Sequence, residues 1–409
     1  MKKFIALILT AVLLLSLVAC AGDGQTTGTT GNPNNSSDAD TTTDPVESKG
    51  GTLMFLSNIS SGPQYDFNIA YLEMATQQLG YKLSVVYGDP FNDPSGNLEA
   101  VKNGMTHDVV GLISAQDGGI LNIMQEFPDL FVVGFANDMA SVYSEGGASA
   151  AARDLDHFLG AIADGYVSGV GTARNMFDIL LEKGYKKITS VTFPAFAYPQ
   201  LVIADATFRQ LIDEHNAGAA AGEKIELVGE TEILMFEMIS DAYFMEPEHQ
   251  DLDAIVGFCA GVLFIYPAMK NAIDAGTISA DTKLLTGGFD TDPNIVADIG
   301  DDGIIQGITM SAPESLIYAL ILLDNAIQGN QFPDFAADVI DAPPFTIKST
   351  EDINKVMNQT GLPGADMSKL QLPWDQAKVY FRRYNADATY ADLMAMLASD
   401  KLTVEGIGQ

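Results

Sequence analysis

From Thr52 onward, short β-rich runs bounded by turn residues alternate with stretches whose apolar positions recur at helical spacing, and the rhythm persists to Ile327. Parallel strands need long crossovers, and amphipathic helices need a surface to cover, so this alternation implies an α/β fold with mainly parallel sheets. The first unit runs from a strand at 52–56 through a polar turn to a helix with Phe67, Tyr71, Met74 and Leu79 inward, closed by Gly80. Strands at 83–87, 109–113 and 131–135 follow, making four strands of one open sheet, with a helix near Leu98. A strand-like stretch at 157–162 then leads through Asp164 and Gly165 into a helix marked by Val170, Ala173, Phe177 and Leu181, where the chain enters a second lobe.

That lobe repeats the scheme with strands at 188–192, 225–228, 254–258 and 284–289, and with helices marked by Leu201 to Leu211, at 233–242 and at 262–273. A strand at 304–310 leads into a helix with Leu316, Leu320, Leu323 and Ile327 on one face. The chain is long for a single core, so two lobes are expected. The first comprises 51–163 with 311–342 and the second 164–310 with 343–349, and crossings near Asp164, Met310 and Pro343 form the hinge between them. Residues 350–409 are left as an extension, in which Trp374, Tyr380, Phe381 and Tyr384 supply the surface for packing onto a lobe.

Ahead of the folded part, Lys2 and Lys3 precede an apolar run from Phe4 to Leu14, the layout of a secretory signal over residues 1–19. The following Leu17-Val18-Ala19-Cys20 resembles the lipobox of bacterial lipoproteins, which implies a diacylated Cys20. Residues 21–49 contain no aromatic side chain and cannot bury enough apolar surface to offset chain entropy, so 20–50 read as a lipidated, disordered tether. The module is thus expected at the outer face of the cell membrane or in the periplasm, held there through its lipid.

With 54 acidic against 21 basic side chains, the formal net charge is −33, which counts against nucleic acid and anionic lipid surfaces as partners. Once Cys20 is lipidated, Cys259 is the only thiol, so neither an intrachain disulfide nor a thiolate metal cluster is expected. His107, His157, His215 and His249 lie in separate elements without a nucleophile motif, and Gly169-Val170-Gly171 lacks the third glycine of a dinucleotide fingerprint. Asp89, Asn92 and Asp93, or Asp290 and Asp292, lack the spacing of a calcium loop and read as turns. No metal, cofactor or catalytic set is expected.

In open parallel sheets, ligands bind beyond the carboxyl ends of the strands. The candidate loops are 58–65, 91–97, Asn137 with Asp138, Asp164, 193–200, 259–264, 290–294 and Met310 with Ser311.

The order of elements, together with the phrases QQLGYKL, FDILLEKGYKKITSVTFP, GGFDTDP and GIIQGITMSAPESLIYALILLDNAIQGN, resembles the type I periplasmic binding proteins, the sugar-binding branch that includes the ribose receptors. The resemblance covers about residues 51 to 345 and implies two Rossmann-like lobes that close over a small ligand and are read by an ABC permease, with the receptor acting as a monomer. It places Asp290 at the family's ligand-binding Asp, although a turn Asp before Pro293 reads equally well from the residues alone. Asn137 and Asp138 fall where ribose-type receptors carry an Asp and an Arg. Asn58 and Gln64 sit on the first cleft loop, with Tyr65 where an aromatic often stacks on the sugar.

Other positions depart from that pattern. Phe193 and Tyr198 occupy the loop that commonly carries an Arg, Cys259 stands where an Asn is common, and Met310 where a Gln closes the hinge. Together with Phe91 they suit a ligand with a flat or apolar face, so a nucleoside or other flat-faced receptor remains open beside a sugar receptor. A sensory receptor of the same fold and a surface glycan hydrolase are the further alternatives.

Overall fold

The computed structural model describes residues 49–135, 139–163, 169–195, 198–288, 290, 292–310, 313–340, 345–359, 370–399 and 402–407. Its strands form two sheets. The first comprises β1 (Thr52–Ser57), β2 (Lys82–Tyr87), β3 (Val109–Ser114), β4 (Phe131–Phe135), β5 (Phe158–Ile162) and the short β12 (Val339–Ile340). Their order is β12-β5-β4-β3-β1-β2, with every pair parallel. The second comprises β6 (Lys187–Thr192), β7 (Glu226–Leu227), β8 (Glu232–Ile233), β9 (Ala254–Phe258), β10 (Lys283–Gly287), β11 (Ile305–Met310) and β13 (Phe345–Ile347). Its order is β13-β11-β10-β9-β6-β7, with β8 also beside β6, and only the edge strand β13 is antiparallel to its neighbour.

The continuous apolar runs follow from burial on both faces. Every residue of β1 is buried, with Leu53 and Phe55 in one core and Met54 and Leu56 in another. The short β12 has a local cause: Gly160 in β5 has φ 86°, and a Cβ there would lie 2.6 Å from the Asp338 carbonyl oxygen. Only glycine lets the two backbones approach so closely.

The chain changes sheet between β5 and β6, returns between β11 and the helix Leu316–Gln328 that packs on β4 and β5, and crosses again between β12 and β13. One expected helix, at 233–242, is absent: β8 ends at Ile233, an irregular segment follows, and a short helix spans Asp241–Met245. Phe236 packs on Phe193 instead of lining a helix face, Ile233, Met235 and Met238 stay exposed, and Ile239 N–H donates to the Phe264 carbonyl at 2.9 Å.

The helix Leu316–Gln328 is buried on all sides from Leu316 through Asn325, as its sequence LIYALILLDNAIQ, apolar all round, requires. One side meets the first sheet, and residues 370–399 cover the other. Gln371 N–H and Leu372 N–H donate to the two Glu314 carboxyl oxygens at 2.8 and 2.9 Å. Arg382 N–H donates to Asn325 Oδ1 at 2.8 Å, and Arg383 Nε to Asp324 Oδ2 at 2.8 Å, within a buried ion pair that Tyr81 Oη supports from 2.9 Å. Trp374 packs on Phe381 with ring centroids 5.4 Å apart. The last described turn, Val404–Gly406, lies instead against β13 and the helix Thr350–Gln359. The extension therefore touches elements of both lobes, not one, because the all-apolar helix and the β13 edge each need a cover.

Candidate functional site

Each sheet reverses its strand order beside its first strand, β1 lying between β2 and β3, and β6 between β7 and β9. Those reversals open a crevice at the carboxyl edge, where the following loops diverge. In the first sheet the loops after β2, β3 and β4 are tied together by side chains. Asn92 Nδ2 donates to Asp117 Oδ1 at 2.5 Å, and Ser141 N–H to Asp117 Oδ2 at 2.6 Å. Gly118 N–H and Asn97 Nδ2 donate to Asn92 Oδ1 at 2.9 and 3.1 Å, and Asp89 N–H to Asn97 Oδ1 at 2.8 Å. Asp93 caps the helix Pro94–Gly104 by accepting from Ser95 and Gly96 N–H. Asp89, Asn92 and Asp93 thus serve as turn and cap residues.

Beneath this network lies Gln116, 2% exposed, with neither amide atom hydrogen-bonded among the described residues. Its side chain lies against Gly88, where a Cβ would meet Gln116 Nε2 at 2.5 Å. A buried amide with both ends unpaired costs free energy until a partner arrives.

The edge of the second sheet is aromatic. Phe193, immediately after β6, packs against Tyr198, Phe236 and Phe264 at centroid distances of 5.6, 5.2 and 5.1 Å. Burial raises the Tyr198 hydroxyl above its ordinary pKa, which keeps it a neutral donor. Phe236 has φ 63°, a left-handed backbone that costs a bulky residue on the order of 1–3 kcal/mol. That conformation turns its ring onto Phe193 and, across the crevice, against the edge of Phe91 at 5.7 Å and 63°. Phe91 belongs to the first lobe and is 54% exposed.

The remaining candidate residues separate by environment. Asn58 is exposed directly after β1, and Gln64 Nε2 is engaged by Asn68 Oδ1 at 3.0 Å. The Tyr65 and Tyr87 hydroxyls meet at 2.6 Å, and that bond, aided by burial, pushes Tyr65 up to about 12. Asp290 is half-buried, and its Oδ1 accepts Asp292 N–H at 2.9 Å, so one oxygen is spent on a turn. Asp292 in turn caps the helix Pro293–Ala297.

Cys259 and Met310 lie in the core below the rim. Burial pushes the Cys259 thiol up to about 12, so it is neutral and behaves as a small apolar group. Met310 ends β11 opposite Phe345. Asn137, Asp138, Asp164 and Cys20 lie outside the described residues.

Sequence reasoning passed over Phe236, Gln116 and Asp117. The last two follow β3 just as the chosen loops follow their strands, so the same rule would have found them.

No protein-family model matches the chain, and neither does any curated protein. Solved structures do. A glucose-galactose binding protein from Geobacillus stearothermophilus superposes with TM-score 0.51 at 14% identity, over 73% of this chain and 98% of its own. An ABC transporter solute binding protein from Agrobacterium vitis, bound with alpha-D-tagatopyranose, gives 0.55 at 15%, over 74% and 96%. A LacI-type transcriptional regulator from Bacteroides fragilis gives 0.53 at 12%, over 75% and 99%. At these identities the likeness speaks for architecture, and the architecture agrees with the two switch-point sheets and triple crossing: the chain has the type I periplasmic binding protein fold, shared by sugar-binding solute receptors and LacI-type regulators.

Proposed function

We propose that the protein is a lipid-anchored extracellular substrate-binding protein of an ABC importer, acting as a monomer and closing over a small polar ligand, with a sugar the first class to test. The observation that carries this reading is the meeting of two switch-point edges through Phe91 and Phe236. A ligand seated there contacts both lobes only in the shut form, so binding shifts the hinge equilibrium by its differential affinity for that form. Asn58, Gln64, Tyr65 and Asp290 supply polar contacts in this reading, joined by Asn137, Asp138 and Asp164. The net charge of −33 favours a receptor over a DNA-binding regulator of the same fold.

A thermal-shift screen over sugars, polyols, nucleosides and amino acids tests the reading, because a ligand at 100 times its Kd adds about 2.7 kcal/mol of stability. Asp290→Ala should abolish the shift. Silence across the whole panel, or an unchanged radius of gyration by X-ray scattering when a hit is added, would sink it. The anchor is tested separately: Cys20→Ser should release the protein from the membrane fraction into the medium.

A further inference from the structure

Along the sequence His249 stands without a chemical set, but the fold gives it two carboxylates. The turn Pro247–His249, ahead of β9, brings Glu246 to 3.6 Å (Oε2) from His249 Nδ1 and Glu248 to 3.9 Å (Oε1) from Nε2. One ligand atom from each of the three residues lies within 4.8 Å of the others. Around a tetrahedral zinc, oxygen and nitrogen ligands stand about 3.4 Å apart, so small side-chain rotations close the set. Both carboxylates can make them: each side chain is more than half exposed, and neither is paired with a Lys or Arg among the described residues.

The histidine itself is set as a ligand. It is 5% exposed, with its ring stacked on Tyr243 at a centroid distance of 3.9 Å. Its Nδ1 lies 2.8 Å from the Tyr243 carbonyl oxygen, an atom that can only accept, so Nδ1 carries the proton. Nε2 is left with its lone pair, without a hydrogen-bond partner among the described residues, facing Glu248. A backbone carbonyl that holds Nδ1–H is the usual device by which a metal-ligating imidazole is fixed in tautomer and orientation. Gly229, between β7 and β8, lies against the same two atoms: a Cβ there would stand 3.3 Å from Glu248 Oε1 and 3.9 Å from His249 Nε2. Any larger side chain would crowd the approach to both.

We propose that Glu246, Glu248 and His249 form a binding site for a divalent ion of the zinc class, held by one imidazole nitrogen and two carboxylate oxygens, with water completing the shell. The donor set decides the class. Imidazole suits zinc and its first-row neighbours, whereas calcium and magnesium take oxygen ligands. The site shares no residue with the crevice and does not depend on the receptor reading. A bound ion locks the turn 246–249, which lies in the segment between β8 and β9 that also carries Phe236.

Calorimetric titration of the full-length protein in detergent, first stripped with EDTA, tests the site with zinc, calcium and magnesium chlorides as probes. Zinc should bind as one equivalent with a Kd below about 100 μM, and calcium and magnesium about 100-fold more weakly. Glu248→Gln, a change to an exposed side chain, should weaken zinc about ten-fold or more. His249→Gln should weaken it further. Because His249 is buried, X-ray absorption of the zinc-loaded wild type supplies a reading that survives a misfolded variant: the shell should contain one imidazole. A shell without imidazole, calcium bound as tightly as zinc, or a zinc affinity untouched by Glu248→Gln would assign the ion to the acidic surface at large and overturn the inference. So would the lack of any zinc binding in that range.

Discussion

The two lobes share a strand scheme but are finished in different ways. The first is secured by polar and charged side chains reaching across long stretches of sequence: Asp117 to the loops after β2 and β4, Glu314 to Gln371 and Leu372, Asp324 to Arg383. The second is secured at its rim by rings, with Phe193 among Tyr198, Phe236 and Phe264. Directional bonds fix loop positions tightly, while ring contacts tolerate sliding and re-packing. A two-sheet molecule built this way has one edge that holds its shape and one that can re-pack.

The sharpest blow to this contrast comes from the charged side. Arg383→Ala leaves the Asp324 carboxyl buried without its cation, and should cost about 3–5 kcal/mol in urea unfolding. A loss under about 1 kcal/mol would show that the ion pair does not hold the first lobe.

Next is a pH effect at Glu314. Burial raises its carboxyl to about 7, although the Gln371 and Leu372 N–H groups pull the other way. The folded pKa then exceeds the unfolded value of about 4.3, so the folded state holds more protons between the two. The contribution is fully present below the unfolded value and is lost as pH rises through about 7, amounting to roughly 3 kcal/mol. Glu314→Gln should remove this slope, and parallel stability curves for variant and wild type between pH 4 and 8 would refute it.

On the aromatic side, Phe193→Ala should cost about 3 kcal/mol by opening a cavity among three rings. The smallest effect, about 2 kcal/mol, is expected for Asp117→Ala, which strands the Asn92 amide and the Ser141 N–H. Hydrogen exchange separates the two variants. Asp117→Ala should loosen the loops after β2 and β4 together, whereas Phe193→Ala should leave first-lobe protection unchanged.

Much of the first lobe was legible because both-sided burial produces unbroken apolar strands, and helix spacing marks what lies between them. The stretch 233–242 misled for a definite reason: Ile233, Leu234, Met235, Phe236, Met238 and Ile239 are dense enough in apolar side chains to suggest a helix. Their order does not reveal that Phe236 adopts a left-handed backbone to reach Phe193. The short β12 was equally hidden, since its pairing depends on the space that Gly160 leaves beside Asp338. At the rim, an aromatic character was readable from Phe91, Phe193 and Tyr198, but their meeting with Phe236 across the lobes is a tertiary fact. Cys259 and Met310 occupied the right positions in the chain and the wrong depth in the fold.

The cover over the helix Leu316–Gln328 also sets an order of assembly. Asp324 is made 59 positions before the Arg383 that neutralises it, and the outer face of the helix waits for residues 370–399. Domains made from the N-terminus usually fold as they emerge, and apolar surface left open in the meantime invites aggregation. Here the earliest strands belong to a lobe that residues 370–399 must cover, so β1 to β5 wait for a segment made more than 200 positions later.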